Sequence, residues 1–410
     1  MRKARLALNV LGFLGLTLPA AAETAQKDDI GTRPAGAAVV AEGALVGPAD
    51  RREPEVRDRG GCPGGVCGGG AVGASEPQHD LVVAEERPQN WYVLDAGLRT
   101  HRDTFVGVAT LSLAQSRTER FYGLTSLALI RNDAGSHFGL TQIGIGRNLS
   151  DEFGGVAQVS LGENRARYFY GLGQITLGHN RSQEFRGALQ FAGYNRAESF
   201  AGVLQLGGYN LADEKFVGAL ELGGFNHAKS FSGLAQIGVV NVQGKEMFES
   251  RDDDSELWAL GQFGVLNYAT AFRGVAQAGA FSVAHDFSGG LQIGVVAGAE
   301  TFRGIAQIGA ASISERSYGG QIGAANLAFK EHTGAQIGGG NYADTMRGVQ
   351  LGVANISDDA RGVQIGVFNH ARRLRGLQIG LLNHAEDGVL EWSPIVNMGF
   401  DEAPKQMSSR

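Results

Sequence analysis

From residue 90 onward the chain alternates between apolar runs and short charged segments at a nearly constant interval. A typical unit carries an aromatic residue and a glycine, then a Gln followed by an aliphatic residue and often by Gly, and then an Asn. With the Gln as register mark, the units repeat in steps of 16, then 15, then 14 residues, and about eighteen of them cover residues 100–388. The segment 242–256 interrupts this repeat.

Within one unit the side chains alternate with a period of two, which predicts a β-strand rather than a helix. Phe216 and Asn226 fall on one predicted face of such a strand, and Glu221 falls on the other. Charged residues collect after the repeated Asn, as after Asn210 and Asn369, so these segments are predicted to be turns. Each unit is therefore predicted to be one strand with a short turn.

The chain is thus predicted to be all-β, and the favoured architecture is an up-and-down β-barrel of the outer-membrane type. Each unit is long enough for one membrane-spanning strand, since about 9–11 residues cross the hydrocarbon. Further strands around residues 91–96 and 392–400 bring the total to about twenty, an even number as in bacterial barrels. The strand faces are almost free of charge, whereas a soluble protein should present polar side chains outward.

The alternative is a parallel β-solenoid, in which each unit is one coil and identical residues stack on the next coil. It explains the constant step better, because barrels normally alternate short turns with longer loops. One pair of residues separates the two architectures. His370 and His384 would nearly touch in a solenoid but would lie at opposite ends of neighbouring strands in a barrel.

The repeated amides are interpreted as a structural ladder that satisfies polar contacts inside the sheet, and not as a pore filter. The members of this predicted ladder are Gln236, Gln307, Gln350, Gln364, Gln378, Asn355, Asn369 and Asn383.

The protein is predicted not to be an enzyme, and no catalytic, cofactor-binding or metal-binding residue is predicted. The nucleophile elbow, the His-Glu-x-x-His pattern and the Gly-rich phosphate loops are all missing from the sequence. His227, His370 and His384 each follow a repeat Asn and are interpreted as turn residues; a metal pair at the last two is conceivable only in the solenoid. The acidic run at 249–256 lacks the EF-hand spacing and is interpreted as a solvated loop.

The N-terminal region is predicted to direct export. Residues 1–22 combine basic residues, an apolar run and a small-residue cleavage site, which is the order of a secretory signal peptide. Residues 23–89 are predicted to be a disordered tether rich in Gly, Pro and Ala. In an oxidising compartment its Cys62 and Cys67 would be able to form a disulfide. The β-repeat domain then spans 90–400, followed by a C-terminal tail at 401–410.

The amino-acid composition limits the classes of partner and of fold that the chain can have. The net charge of -6 gives no basic face for a phosphate backbone, so no nucleic-acid partner is predicted. The 63 glycines are about twice the usual share, yet the chain has only 9 Pro and 43% apolar residues, which excludes collagen and wholesale disorder. Most of the glycine is periodic, beside the aromatic residue or the Gln, and indicates close packing in a repeated β architecture.

The last repeats resemble a known family. The units Gly-Val-Gln-Leu-Gly-Val-Ala-Asn (348–355), Gly-Val-Gln-Ile-Gly-Val-Phe-Asn (362–369) and Gly-Leu-Gln-Ile-Gly-Leu-Leu-Asn (376–383), closed by an aromatic strand at 392–400, resemble the bacterial surface-repeat proteins of spirochaetes and other Gram-negative groups. The resemblance implies an exported, envelope-associated protein and supplies no catalytic residues.

The predicted function is therefore that of an exported envelope protein, an outer-membrane β-barrel with a channel or structural surface role and with outer-membrane lipid as its partner. The alternative is a β-solenoid surface or adhesion module that binds a partner along its stacked face. The sequence identifies no protein or glycan partner.

Overall fold

The computed structural model describes residues 91–244 and 255–400. The predicted signal peptide, the tether with Cys62 and Cys67, most of the acidic run and the tail at 401–410 lie outside these described residues. Among the described residues no helix is long and apolar enough to cross a membrane.

The described residues form one large sheet of fifteen strands, which confirms the all-β class. The longest elements run through several repeats, because extended backbone continues around the bends. The strands are β1 (Trp91–Ala128), β2 (Arg131–Gly144), β3 (Arg147–Gly154), β4 (Ala157–Val159), β5 (Glu163–Tyr170), β6 (Gly173–Ile175), β7 (His179–Arg186), β8 (Leu189–Ala201), β9 (Leu204–Val217), β10 (Leu220–Ser232), β11 (Ala235–Gln243), β12 (Leu257–Phe263), β13 (Leu266–Ala278), β14 (Phe281–Ala385) and β15 (Trp392–Gly399).

Neighbouring repeats run parallel and in register, so the fold is a β-solenoid and the predicted barrel is wrong. Strand β8 pairs with β9 in parallel, and this pairing places Gln190 against Gln205 and Asn195 against Asn210. The same parallel matching continues from β9 to β10. An up-and-down barrel needs antiparallel neighbours. In this chain β15 is antiparallel to β14, where the stack ends.

Each coil has three short sides, which we name by the residue that begins them. In the coil of Glu221 the Phe side is 216–220, the Gln side is 221–225 and the Asn side is 226–230. Phe216, Glu221, Asn226 and Ala228 are fully buried. The last two residues of each side both face outward, which marks a bend, since a straight strand alternates strictly.

These bends correct two predictions made from the sequence. The period-two pattern placed Glu221 opposite Phe216 and Asn226, but all three point into the coil, because each bend shifts the phase of the alternation. The charged residues after the Asn were predicted to be turns. They instead form the third side of the coil, as after Asn369, where the extended backbone of β14 continues.

The 14-, 15- and 16-residue coils differ in the number of residues on individual sides. The 14-residue coils have one residue fewer on the Phe side, where Gly348, Gly362 and Gly376 take positive φ values of 133°, 139° and 145°. A side chain could not follow, because a Cβ on Gly348 would lie 2.0 Å from the Gly334 carbonyl oxygen. Glycine at these positions therefore allows a shorter coil to stay stacked on its neighbours.

The segment 245–254 lies outside the described residues and connects Gly244, on the Asn side, with Ser255. On either side of it the coils stay in contact, because β11 pairs directly with β12 and β13. At the other end β15 pairs with the last coil and places Trp392 on His384. The Gln side therefore continues without a break from Gln236 through Gln262 to Gln277.

Candidate functional site

The Gln side chains form a column inside the solenoid. From Gln158 onward, every Gln of the column except Gln236 donates from Nε2 to the Oε1 of the Gln one coil earlier, over 2.7–3.0 Å. This Gln column includes Gln236, Gln307, Gln350, Gln364 and Gln378, all fully buried. Because the amides satisfy one another, a row of polar groups can occupy a dry core.

The Asn side chains form a second column that runs in the opposite sense. Asn355 Nδ2 donates to Asn369 Oδ1, and Asn369 Nδ2 donates to Asn383 Oδ1, each over 2.8 Å. Gln amides therefore donate toward the N-terminal coil, and Asn amides donate toward the C-terminal coil. The amide dipoles of the two columns oppose each other along the axis.

An aromatic stack fills the third inner corner. Eight consecutive ring contacts run from Phe105 to Phe231, and two more run from Phe272 to Phe302, with centroid separations of 4.4–5.1 Å and nearly parallel planes. Leu257 lies between the two runs. Glycine makes room for each ring, since a Cβ on Gly218 would lie 2.9 Å from Phe216 Cζ. Beyond Phe302 the rings give way to smaller or polar residues at the same place, all fully buried: Ser317, His332, Met346, Ala360 and Leu374.

Two buried histidines lie at this inner corner, His137 within the aromatic stack and His332 beyond it, and they should make the protein sensitive to acid. Burial lowers the pKa of His137 and of His332 to about 4. The unfolded chain takes up these protons at pH 6.5 and the folded chain only near pH 4, so stability falls as the pH drops through this window. The loss is about 1.4 kcal/mol per pH unit for each histidine.

The variant His137→Phe is expected to halve this acid slope and to stabilise the fold, because a Phe ring continues the stack between Phe121 and Phe153. Thermal unfolding between pH 4 and pH 7 measures the slope. The exposed His179 offers a control, and His179→Phe should leave the slope unchanged. An unaltered slope in His137→Phe would contradict the assignment.

One position breaks the Gln column. Glu221 takes the place of a Gln and accepts from Gln236 Nε2 over 2.8 Å. On its other side Gln205 Oε1 and Glu221 Oε1 are both buried without a hydrogen-bond partner. Burial raises the pKa of Glu221 to about 8, so the group holds a proton at neutral pH. A proton on Oε1 supplies the donor that Gln205 lacks.

His370 and His384 are in contact, as the solenoid architecture requires. His370 Nδ1 and His384 Nδ1 are 2.7 Å apart, and the two rings stack at 4.9 Å. Burial and the neighbouring His384 lower the pKa of His370. Within residues 91–244 and 255–400 no group of three His, Cys, Asp or Glu side chains is placed to hold a metal ion. His384 of this pair also contacts Trp392, with ring centroids 4.2 Å apart.

The outer surface of the Gln side is the feature that sequence reasoning missed. In every coil from Gln236 to Gln378 its three outward positions carry only aliphatic, aromatic, Ala or Gly residues. Many of these aliphatic side chains are half exposed or more, among them Val239, Val265, Val295, Val353 and Leu381 at 52–73%. The signal was present in the sequence as charge-free strand faces, but it was taken as evidence for a lipid-facing barrel.

The described residues thus contain a filled polar and aromatic interior and an apolar outer side. Comparison with protein-family models, with curated proteins and with solved structures finds no match to this chain.

Proposed function

We propose that this chain is an exported, non-enzymatic β-solenoid of the bacterial envelope that binds a partner along its Gln side. This is a surface or adhesion module whose binding face extends over many coils. A channel role is not part of the proposal, because it required the barrel. The outer-membrane lipid partner was predicted from the barrel too, and it stays a prediction without that support.

The observation that carries the proposal is the apolar outer surface of the Gln side. A monomeric soluble protein rarely exposes a continuous apolar patch larger than about 300–600 Å², and larger patches mark binding sites. In the coils from Gln236 to Gln378 the charged residues lie on the other sides of the coil. Charged residues on those sides form ion pairs between neighbouring coils, as Lys229 does with Glu214. The Gln side therefore differs from the rest of the surface in the way a binding face does.

Export is supported by the signal-like segment at 1–22 and by the resemblance of the last repeats to envelope proteins. The absence of catalytic motifs supports a binding role, since the interior is occupied by amides and rings that bond to one another.

Thiol labelling in isolated envelopes tests the proposal. In a Cys62→Ser, Cys67→Ser background, the variants Val295→Cys and Ile305→Cys place single thiols on the Gln side and on the Phe side. The two parent side chains are 58% and 74% exposed, so both thiols are accessible in a bare solenoid. We expect the chain in the envelope fraction without residues 1–22, with the Val295→Cys thiol protected from maleimide and the Ile305→Cys thiol labelled.

Equal labelling of both thiols in the envelope would overturn the binding face. Recovery of the chain in the cytosol with residues 1–22 intact would overturn export.

A further inference from the structure

The apolar surface of the Gln side has the dimensions of a protein–protein interface. Neighbouring strands lie about 4.8 Å apart, so the coils from Gln236 to Gln378 extend about 45 Å along the axis. One side of five residues is about 16 Å wide at about 3.3 Å per residue. The footprint is therefore about 700 Å², close to the roughly 800 Å² per partner of a stable complex.

The chemistry of this face suits another β-sheet. Its outward residues form columns, one of them mainly Ile or Leu next to the buried Gln, such as Ile293, Ile322 and Ile337. Two sheets with apolar faces pack about 10 Å apart with interdigitated side chains. The face is regular and free of charge from coil to coil between Gln236 and Gln378, so two copies can place it against itself without burying an unpaired charge.

A membrane surface suits the face less well. Proteins that lie on lipid usually surround their apolar face with unpaired Lys or Arg. The Phe-side residues Arg273 and Arg347 are each paired with an acid, Arg273 with Glu256 over 2.9 Å and Arg347 with Glu331 over 3.0 Å. The net charge of -6 opposes attraction to anionic lipid.

Growth of the stack at its C-terminal end is blocked. Strand β15 runs antiparallel across the last coil and contains Pro394, which has no backbone N–H to offer a further strand. Self-association at that end cannot continue the parallel ladder, so a second copy has to use another surface.

We infer that the partner of the Gln side is a second copy of this chain, and that two solenoids pack face to face through their outward aliphatic columns. This inference rests on the proposed function, because it names the occupant of the same face. In such a dimer the same patch of both copies is buried about a two-fold axis, and the charged Asn sides remain exposed.

The test compares two matched triple variants of the mature chain. Val265→Lys, Val295→Lys and Val353→Lys change the Gln side at positions 52%, 58% and 60% exposed. Val203→Lys, Val275→Lys and Ile305→Lys change the Phe side at positions 56%, 57% and 74% exposed. Light scattering coupled to gel filtration should give twice the chain mass for the wild type and for the Phe-side variant, and the single-chain mass for the Gln-side variant.

The Gln-side variant should raise the dissociation constant at least 100-fold with an unchanged β-sheet circular dichroism spectrum. If the triple variant does not fold, Val295→Lys alone, read by sedimentation at several concentrations, should still raise it about 10-fold or more. A wild-type monomer at micromolar concentration would overturn the inference, as would equal dissociation of the Phe-side variant. So would a monomer that floats with phosphatidylethanolamine–phosphatidylglycerol vesicles, which would identify lipid as the occupant.

The two failures are distinguishable. If the purified protein is a monomer but its Val295→Cys thiol is protected in the envelope, the proposed function stands and a second copy is not the partner. If the purified protein is a dimer but its Val295→Cys thiol is labelled in the envelope, the chain self-associates in solution and the proposed binding role in the envelope is wrong.

Discussion

Replacing Glu221 by glutamine is expected to stabilise the folded chain, with the smallest gain below pH 4.5 and the largest above pH 8. At pH 7 the gain should be on the order of 3 kcal/mol, because each pH unit above the unfolded pKa costs about 1.4 kcal/mol to keep the carboxyl protonated. This is a large effect for one added amide on a protein of ordinary stability.

The geometry gives the reason. Glu221 is fully buried in a column where each member donates to the previous coil and accepts from the next. A carboxylate can accept from Gln236 but cannot donate to Gln205, and it would carry a charge into a dry core. An amide at this position donates to Gln205 Oε1 as the other glutamines do, and it needs no proton from solution.

The sign of the pH dependence follows from burial. The pKa of Glu221 is raised in the folded chain, so the folded state holds a proton that the unfolded state releases above about pH 4.5. Stability from this group is therefore complete below pH 4.5 and is lost as the pH rises toward 8. The buried histidines act in the opposite direction and at lower pH, so the difference between variant and wild type isolates the glutamate.

Chemical denaturation at pH 4, 6, 8 and 9 measures this difference, and hydrogen exchange of the coils between Gln205 and Gln236 locates it. Glu214→Gln serves as a control, because the Glu214 side chain is 66% exposed. A gain that is constant with pH, or that is shared by Glu214→Gln, would show that Glu221 is not held protonated.

Truncating one ring of the aromatic stack is expected to cost about 3–5 kcal/mol, the usual range for a buried phenylalanine changed to alanine. In Phe200→Ala the lost ring contacts Phe185 at 4.9 Å and Phe216 at 4.7 Å, and it is fully buried. The coils meet only their neighbours, so the cavity cannot be filled by side chains from elsewhere in the chain.

Denaturant unfolding should show an earlier midpoint for Phe200→Ala, and hydrogen exchange should show the largest loss of protection in the coils on either side. Phe329→Ala is the matched control, because Phe329 lies on the outer surface and is 40% exposed. A similar loss of stability in both variants would argue against the stack as the main source of cohesion between coils.

Much of the repeat could be predicted from residue order alone. The spacing of Gln, Asn and Phe marks the units, and parallel register follows once identical residues are required to stack. The three-sided cross-section could not be predicted in the same way. Val217, Ala219 and Leu220 look like any strand residues, and only the closed coil shows that the last two face outward together.

The charge-free faces led to the wrong architecture for a physical reason. Apolar outward positions are required in a lipid-facing barrel and are also possible on a solenoid that binds a partner, so the same residues satisfy both. His370 and His384 decide between them, since their 2.7 Å contact requires the two coils to be parallel neighbours.

The sequence by itself determined the all-β class, the length of each unit and the identity of the repeated polar residues, because local alternation and a fixed period need no long-range information. Only the tertiary structure decided the direction of the coils and which side chains of each coil point inward. Those properties depend on contacts between residues one coil apart, such as Gln205 with Glu221, and on bends that no single unit reveals. The same contacts place the acid Glu221 in a buried column and leave one uncharged strand face on the outer surface.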